Sequence, residues 1–133
     1  MSEENVHTFR SLLSAVRALD ADGLVALTDP EVEWHSFFAA LLPAGRYRGH
    51  DGMRVYVSDL RESWESIDPQ ADQTLDIGDL VVGIGSVTYR GKESGVESSL
   101  PAGWVVKVRR GRVLMFRAFH DPVDALEAVG LSE

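Results

Sequence analysis

The amino-acid sequence predicts an α+β domain in which helices pack against one face of an antiparallel sheet. Two observations support this prediction. In the first half of the chain, apolar residues recur every three or four positions, which is typical of amphipathic helices. In the second half they recur every second position between glycine-rich turn signals, which is typical of strands. Helices grouped ahead of a run of antiparallel strands favour the α+β class.

The first predicted elements are two helices and a short strand. Residues 3–19 form the first helix, since Val6, Phe9 and Leu13 lie on one face. A second helix at 21–28 ends before Pro30, because the residue preceding a proline is disfavoured in the α conformation. A strand follows at 32–35.

A segment rich in large apolar residues comes next. It runs from Phe37 to Leu42, includes Phe38 and Leu41, and is followed by Pro43 and Gly45. An exposed apolar patch of this kind usually marks a binding surface, so we expect the segment to act as a lid.

The third helix is predicted over 50–67, where an apolar stripe is followed by a stop at Asp68 and Pro69. The stripe contains Met53, Tyr56, Val57, Leu60, Trp64 and Ile67. Four strands are then predicted at 72–77, 80–90, 96–110 and 112–121. Gly83 and Gly85 inside the second of these indicate a bend or a close backbone approach. A last helix at 122–130 begins with Pro122 after the N-cap residue Asp121.

Length and composition exclude several classes of protein. The 133 residues are the size of one domain, which we expect to span 1–133, and they suffice to bury a core. The absence of cysteine excludes disulfide frameworks, thiolate metal sites and cysteine nucleophiles. No signal-peptide segment and no apolar run of about 18 residues is present, so we expect a cytoplasmic protein with no membrane partner.

The charge is negative overall but unevenly distributed. The net charge is −8, from 13 Lys and Arg against 21 Asp and Glu, which makes nucleic acid and anionic membranes poor partners. Residues 90–117 nevertheless contain seven basic and only two acidic side chains. A solvated basic face on a pair of strands is the simpler interpretation, and a site for a small anion is the alternative.

Three segments together resemble the SnoaL-like branch of the nuclear transport factor 2-like superfamily, whose fold ketosteroid isomerase and limonene epoxide hydrolase share. They are DPEVEWHSF at 29–37, GRYRGHDGMRVYVSDLRESWE at 45–65 and GRVLMFRAFHDPVDALEAVGL at 111–131. The resemblance implies a strongly curved, mixed or antiparallel sheet wrapped around three helices of the N-terminal half, forming a cone with a central pocket. It also implies a homodimer.

Strand alternation predicts which side chains face that pocket. In the last strand the even positions Leu114, Phe116, Ala118 and His120 form the more apolar face, which places His120 at the pocket rim. Alternation puts Trp34 inside and His35 outside, although a turn at the strand end and the resemblance leave His35 open as a pocket residue. The predicted ligand-binding residues are Trp34, Tyr56, Leu60, Trp64, Trp104 and Phe116. Core packing is the alternative for Tyr56, Leu60 and Trp64.

The catalytic groups that the resemblance implies are mostly absent. The end of the first strand has no aspartate, residues 5–19 contain no tyrosine, and Ala118 stands where an acid is expected. This leaves His35 and His120 as candidate acid–base residues. We therefore expect a domain that binds a small hydrophobic molecule without metal or cofactor. The alternatives are an isomerase, cyclase or hydratase that uses a pocket histidine, and a homodimeric interaction module with a vestigial cavity.

Overall fold

A computed structural model of the chain describes residues 2–37 and 45–130. In these residues the chain forms four helices and one six-stranded sheet. The elements are α1 (Ser2–Arg17), α2 (Ala21–Leu27), β1 (Thr28–His35), β2 (Arg46–Arg48), α3 (Gly49–Ser63), β3 (Trp64–Ile77), β4 (Leu80–Gly91), β5 (Glu97–Arg109), β6 (Arg112–Phe119) and α4 (Pro122–Ala128). The predicted α+β class is confirmed.

The strands lie in the order β2-β1-β6-β5-β4-β3. All neighbours are antiparallel except β1 and β6, which are parallel, so the sheet is mixed as predicted. The first strand therefore inserts beside the last one. This pairing brings Trp34 opposite Phe116, residues that are far apart in the sequence.

Two apolar clusters lie on opposite faces of the sheet. Most buried residues belong to the cluster beneath α1, α2 and α3, which includes Phe9, Leu24 and Val106. The neighbouring residue Val105 points the other way, into a smaller cluster beneath α4 with Ala125. Alternation along β5 thus supplies both clusters from one strand. None of the helices in the described residues is long and apolar enough to cross a membrane.

The predicted end of the third helix was wrong. The helix ends at Ser63, and Trp64 begins β3, so Asp68 and Pro69 lie within a strand instead of stopping a helix. Proline is tolerated there because β3 is an edge strand of the sheet. Arg17 of α1 holds this part of β3 against the helix, since its guanidinium donates hydrogen bonds to the Asp68 carboxylate at 2.6 Å and to the Pro69 carbonyl at 2.7 Å.

Strand β6 departs from simple alternation. Val108 pairs with Val113 but Lys107 pairs with Met115, so Leu114 is the extra residue of a β-bulge. The prediction that Leu114 faces the pocket was wrong for this reason, since it borders a groove on the outer face with Met115. Phe116, beyond the bulge, lies in the main core as predicted.

Candidate functional site

An internal cleft lies between the helices and the inner face of the sheet. Among the residues that the structure describes, nine from six elements and the segment after β1 line it: Leu13, Val16, Phe37, Tyr56, Ile67, Pro69, Val87, Trp104 and Phe116. Its volume is about 20 Å³, which is room for about one water molecule. Tyr56, Trp104 and Phe116 were predicted as ligand-binding residues, and the structure brings these three together.

Aromatic rings form one wall of this region. Trp34 of β1 stacks on Phe116 of β6 with ring centroids 3.8 Å apart and planes 7° apart. Tyr56 of α3 lies against the same indole, with centroids 5.1 Å apart. Trp34 is fully buried, so this predicted ligand-binding residue lies behind the lining and supports it. The parallel pairing of β1 and β6 makes the stack possible, because it sets Trp34 opposite Phe116.

The Tyr56 hydroxyl is the ionisable group of the described cleft lining. Burial raises the pKa of Tyr56 well above its usual range, while the nearby side chains of Trp34 and Ser36 act in the opposite direction. The hydroxyl is therefore neutral at physiological pH and can donate a hydrogen bond.

His120 and Phe37 pack together at the edge of the cleft. Their rings stack with centroids 4.3 Å apart and planes 3° apart. His120 Nε2 also lies 2.7 Å from the Phe37 carbonyl oxygen, so this nitrogen carries the proton and donates to it. His120 is exposed on its other side. Phe37 is the part of the predicted lid that the structure describes, whereas Phe38, Leu41 and Leu42 lie outside the described residues.

His35 lies on the opposite face of the sheet. Trp34 is buried in the core and the next residue, His35, points away from it, as alternation alone requires. Burial lowers the pKa of His35, and the charges of Arg46 and Arg117 lower it further, against a smaller opposing effect of Glu33. His35 does not line the described cleft.

Leu60 and Trp64 are also outside the lining. Leu60 is fully buried in the main core. Trp64 begins β3 and borders an outer groove with Leu19, Arg61, Glu65 and Lys92. Its predicted position on the inner stripe of a helix was wrong, because the helix ends one residue earlier.

Sequence reasoning did not select five of the lining residues. They are Leu13, Val16, Ile67, Pro69 and Val87. Leu13 and Val16 belong to the apolar stripe of the first helix, which identified a core face but not a cleft. Ile67 and Pro69 could not be placed while β3 was interpreted as the end of a helix. Alternation along β4 points Val87 inward, and this signal was available.

The fold and the cleft together define a small α+β domain with an apolar, aromatic interior. Residues 9–115 match the SnoaL-like domain family, and the chain belongs to that family. No curated protein sequence matches the chain.

Solved structures with the same fold cover nearly the whole chain. An NTF2-like protein of unknown function from Burkholderia pseudomallei aligns with a TM-score of 0.78 and 20% identity, over 96% of this chain and 98% of its own. TerC co-crystallised with polyporic acid aligns with a TM-score of 0.77 and 20% identity, over 93% and 96% of the two chains. A putative SnoaL-like polyketide cyclase from Shewanella denitrificans aligns with a TM-score of 0.73 and 17% identity, over 93% and 97%. At these identities the similarity establishes the fold.

Proposed function

We propose that this SnoaL-like domain binds a small, flat, apolar molecule in the cleft between α1, α3 and the sheet. The observation that carries the proposal is the chemistry of the lining. Its described residues are aliphatic or aromatic, and Tyr56 supplies the ionisable group among them. Apolar walls with one or a few fixed polar groups are typical of small-molecule sites. The co-crystallisation of the structural neighbour TerC with polyporic acid supports the same kind of role for this fold.

Entry of a ring requires Phe37 to move. The cleft of about 20 Å³ is smaller than a ligand site of several hundred Å³. The Phe37 side chain follows β1, lines the cleft and stacks on His120, so displacement of this ring would enlarge the cleft without moving a strand. We infer that a ligand ring replaces the Phe37 ring.

The Tyr56 hydroxyl orients the ligand. It is buried and neutral, so it donates a hydrogen bond to an oxygen of the ligand. A carbonyl or hydroxyl group on an otherwise apolar molecule is the chemistry that fits. A ligand lacking that oxygen makes one hydrogen bond fewer in the cleft, so it binds less tightly.

The experiment uses 2-naphthol as the probe and isothermal titration calorimetry as the measurement. We expect Phe37→Ala to bind 2-naphthol at least about tenfold more tightly than the wild type, equivalent to about 1.4 kcal/mol. Phe119→Ala is the matched control, because Phe119 packs in the outer cluster beneath α4. We expect Tyr56→Phe to weaken binding by about 1 kcal/mol through loss of one hydrogen bond. Equal affinities of Phe37→Ala and Phe119→Ala would contradict the proposal.

A second candidate function is an isomerase, cyclase or hydratase that uses His120 as the acid–base group. The observation that favours it is the contact between His120 Nε2 and the Phe37 carbonyl. A movement of the Phe37 backbone would free this nitrogen at the edge of the cleft. Loss of ketone-tautomerisation activity toward 2-tetralone in His120→Gln, with binding of 2-naphthol retained, would support it. Absence of such activity in the wild type would rule this chemistry out for that substrate class.

A further inference from the structure

Three basic or titratable side chains form one row on the outer face of the sheet. His35 of β1 is the register partner of Arg46 in β2 and of Arg117 in β6. The residues that precede His35 and Arg117 and follow Arg46 are all buried in the main core: Trp34, Phe116 and Tyr47. Because side chains alternate across a strand, the row lies on the face opposite the cleft.

The two arginines of the row have no carboxylate partner in the described part of the chain. Glu33, two residues before His35 on the same face, pairs instead with Arg48 at 3.4 Å. The Arg117 guanidinium carbon lies 4.9 Å from the centre of the Phe119 ring, which orients the guanidinium through a cation–π contact. The two arginines therefore form a local patch of positive charge on a chain whose net charge is −8.

The pKa of His35 reflects the two positive charges beside it. Burial and the charges of Arg46 and Arg117 lower its pKa, and Glu33 is the opposing charged group. The free protein thus disfavours the imidazolium form at this position. An anion placed over the row would offset the repulsion and favour the protonated ring.

We propose that the row Arg46–His35–Arg117 binds the oxyanion group of a small molecule, a phosphate or sulfate group. Neighbouring strands lie about 4.8 Å apart, so each arginine is attached to the backbone about one strand spacing from His35. The long side chains of both arginines can therefore reach one tetrahedral anion bound over His35. Guanidinium groups match the paired oxygens of such an anion with two parallel hydrogen bonds. The site is separate from the cleft and does not depend on the proposed function.

A groove beside the row has room for a group attached to the anion. It has a volume of about 430 Å³ and is lined by Glu33, His35, Arg46, Tyr47 and Arg48. Two sources can supply the same chemistry, a free inorganic anion or an ester of phosphate. The groove favours the ester, since inorganic phosphate alone would leave it unfilled.

The affinity for sulfate depends on pH through His35. Because the bound anion favours the imidazolium, binding raises the pKa of His35, and by linkage the affinity increases as pH falls through that pKa. Burial and the charges of Arg46 and Arg117 lower the pKa of His35 in the free protein, so the affinity rises as pH falls from the pKa of the bound form toward this lower pKa. Sulfate is the suitable probe because its own charge is constant over this range.

The test is a sulfate titration followed by the backbone amide resonances of β1, β2 and β6 in NMR spectra at about pH 5 and about pH 7.5, with the His35 ring resonances reporting its pKa in the wild type. We expect saturable binding that is tighter at the lower pH, and a raised pKa of His35 in the presence of sulfate. The double variant Arg46→Gln, Arg117→Gln loses the binding. Arg110→Gln, with the same charge change in the exposed β5–β6 turn, retains it.

A second variant keeps the proposal testable if the double variant does not fold. His35→Gln retains both arginines, so sulfate binding persists but no longer strengthens at low pH.

Phenyl phosphate binding more tightly than inorganic phosphate identifies an ester site, and equal affinity identifies a site for the anion alone. The proposal is overturned if sodium chloride at equal ionic strength produces the same shifts, or if Arg110→Gln weakens binding as much as the double variant.

Discussion

The Tyr47 hydroxyl donates a hydrogen bond to the Asp59 carboxylate at 2.6 Å, which joins β2 to α3, and the Tyr47 ring also packs edge-on against Tyr56 of α3. Burial raises the pKa of Tyr47 above its usual range, and the hydrogen bond to Asp59 raises it further. The phenol is therefore protonated and a hydrogen-bond donor at neutral pH. Because β2 has only three residues, we infer that the side-chain bond contributes to its position.

We predict that Tyr47→Phe lowers the free energy of unfolding by about 1 kcal/mol, the typical net contribution of a hydrogen bond of this kind. Urea denaturation measures the change. The control is a double-mutant cycle with Asp59→Asn, in which the two losses are less than additive if the bond is responsible. An equal effect of Tyr47→Phe in both backgrounds would assign the loss to packing.

Single residues also show where sequence reasoning was sufficient. Alternation alone places Trp34 in the core and His35 outside it, and the structure agrees with alternation. The irregularity in the pairing of β1 lies between Thr28 and Glu33, before the alternating stretch begins, so it does not turn His35 inward. Leu114 could not be predicted in the same way, because its bulge depends on how β6 pairs with β5.

At the level of elements, the junction of α3 and β3 was the largest error. The apolar residues at 64 and 67 continue a helical spacing, and Asp68 with Pro69 resembles a helix stop. Ile67, Pro69 and Ala71 in fact point toward the core at every second position of an edge strand. Sequence spacing alone does not distinguish these interpretations, because an edge strand tolerates a proline that a central strand does not.

The edge strand β3 is also bulged, and Gly85 of β4 permits this. The pairing shifts between Ala71 and Gln73, opposite Gly85, and a Cβ atom on Gly85 would overlap the backbone carbonyl of Gln70. Backbone atoms cannot move aside as a side chain can. The two mid-strand glycines were predicted to indicate a bend or a close backbone approach, and Gly85 shows the close approach.

We predict that Gly85→Ala lowers the free energy of unfolding by about 1–3 kcal/mol, the usual cost of overpacking. Gly91→Ala is the matched control in the same strand, since its added methyl would meet the movable side chain of Ser94. Thermal or urea unfolding of both variants gives the comparison. Equal stabilities of the two variants would show that β3 relaxes around the added methyl.

At the scale of the whole molecule, the α+β class followed from hydrophobic periodicity, but the topology did not. The parallel pairing of β1 with β6 joins segments that are about 80 residues apart in the sequence, as the pair Trp34 and Phe116 shows, and no local pattern indicates it. The resemblance to the SnoaL-like family supplied the fold, and the family match over 9–115 confirms it. The homodimer that the resemblance implies stays a prediction, which sedimentation velocity at high protein concentration tests.

The two proposed sites lie on opposite faces of one sheet and have opposite chemistry. The inner cleft is apolar with the neutral Tyr56 hydroxyl, whereas the outer row is cationic around His35. Adjacent residues of β1 serve the two faces, since Trp34 supports the cleft and His35 belongs to the row. Binding at one site therefore leaves the side chains of the other free, and we expect 2-naphthol and sulfate to bind independently.

The most direct test of the central claim is a crystal structure of the chain in complex with 2-naphthol. We predict that the naphthol ring lies in the cleft against Trp104 and Phe116. Its oxygen accepts a hydrogen bond from the Tyr56 hydroxyl, and the Phe37 ring has moved away from His120. Naphthol bound elsewhere, with Phe37 still stacked on His120 and the cleft unfilled, would contradict the claim that this cleft is the ligand site.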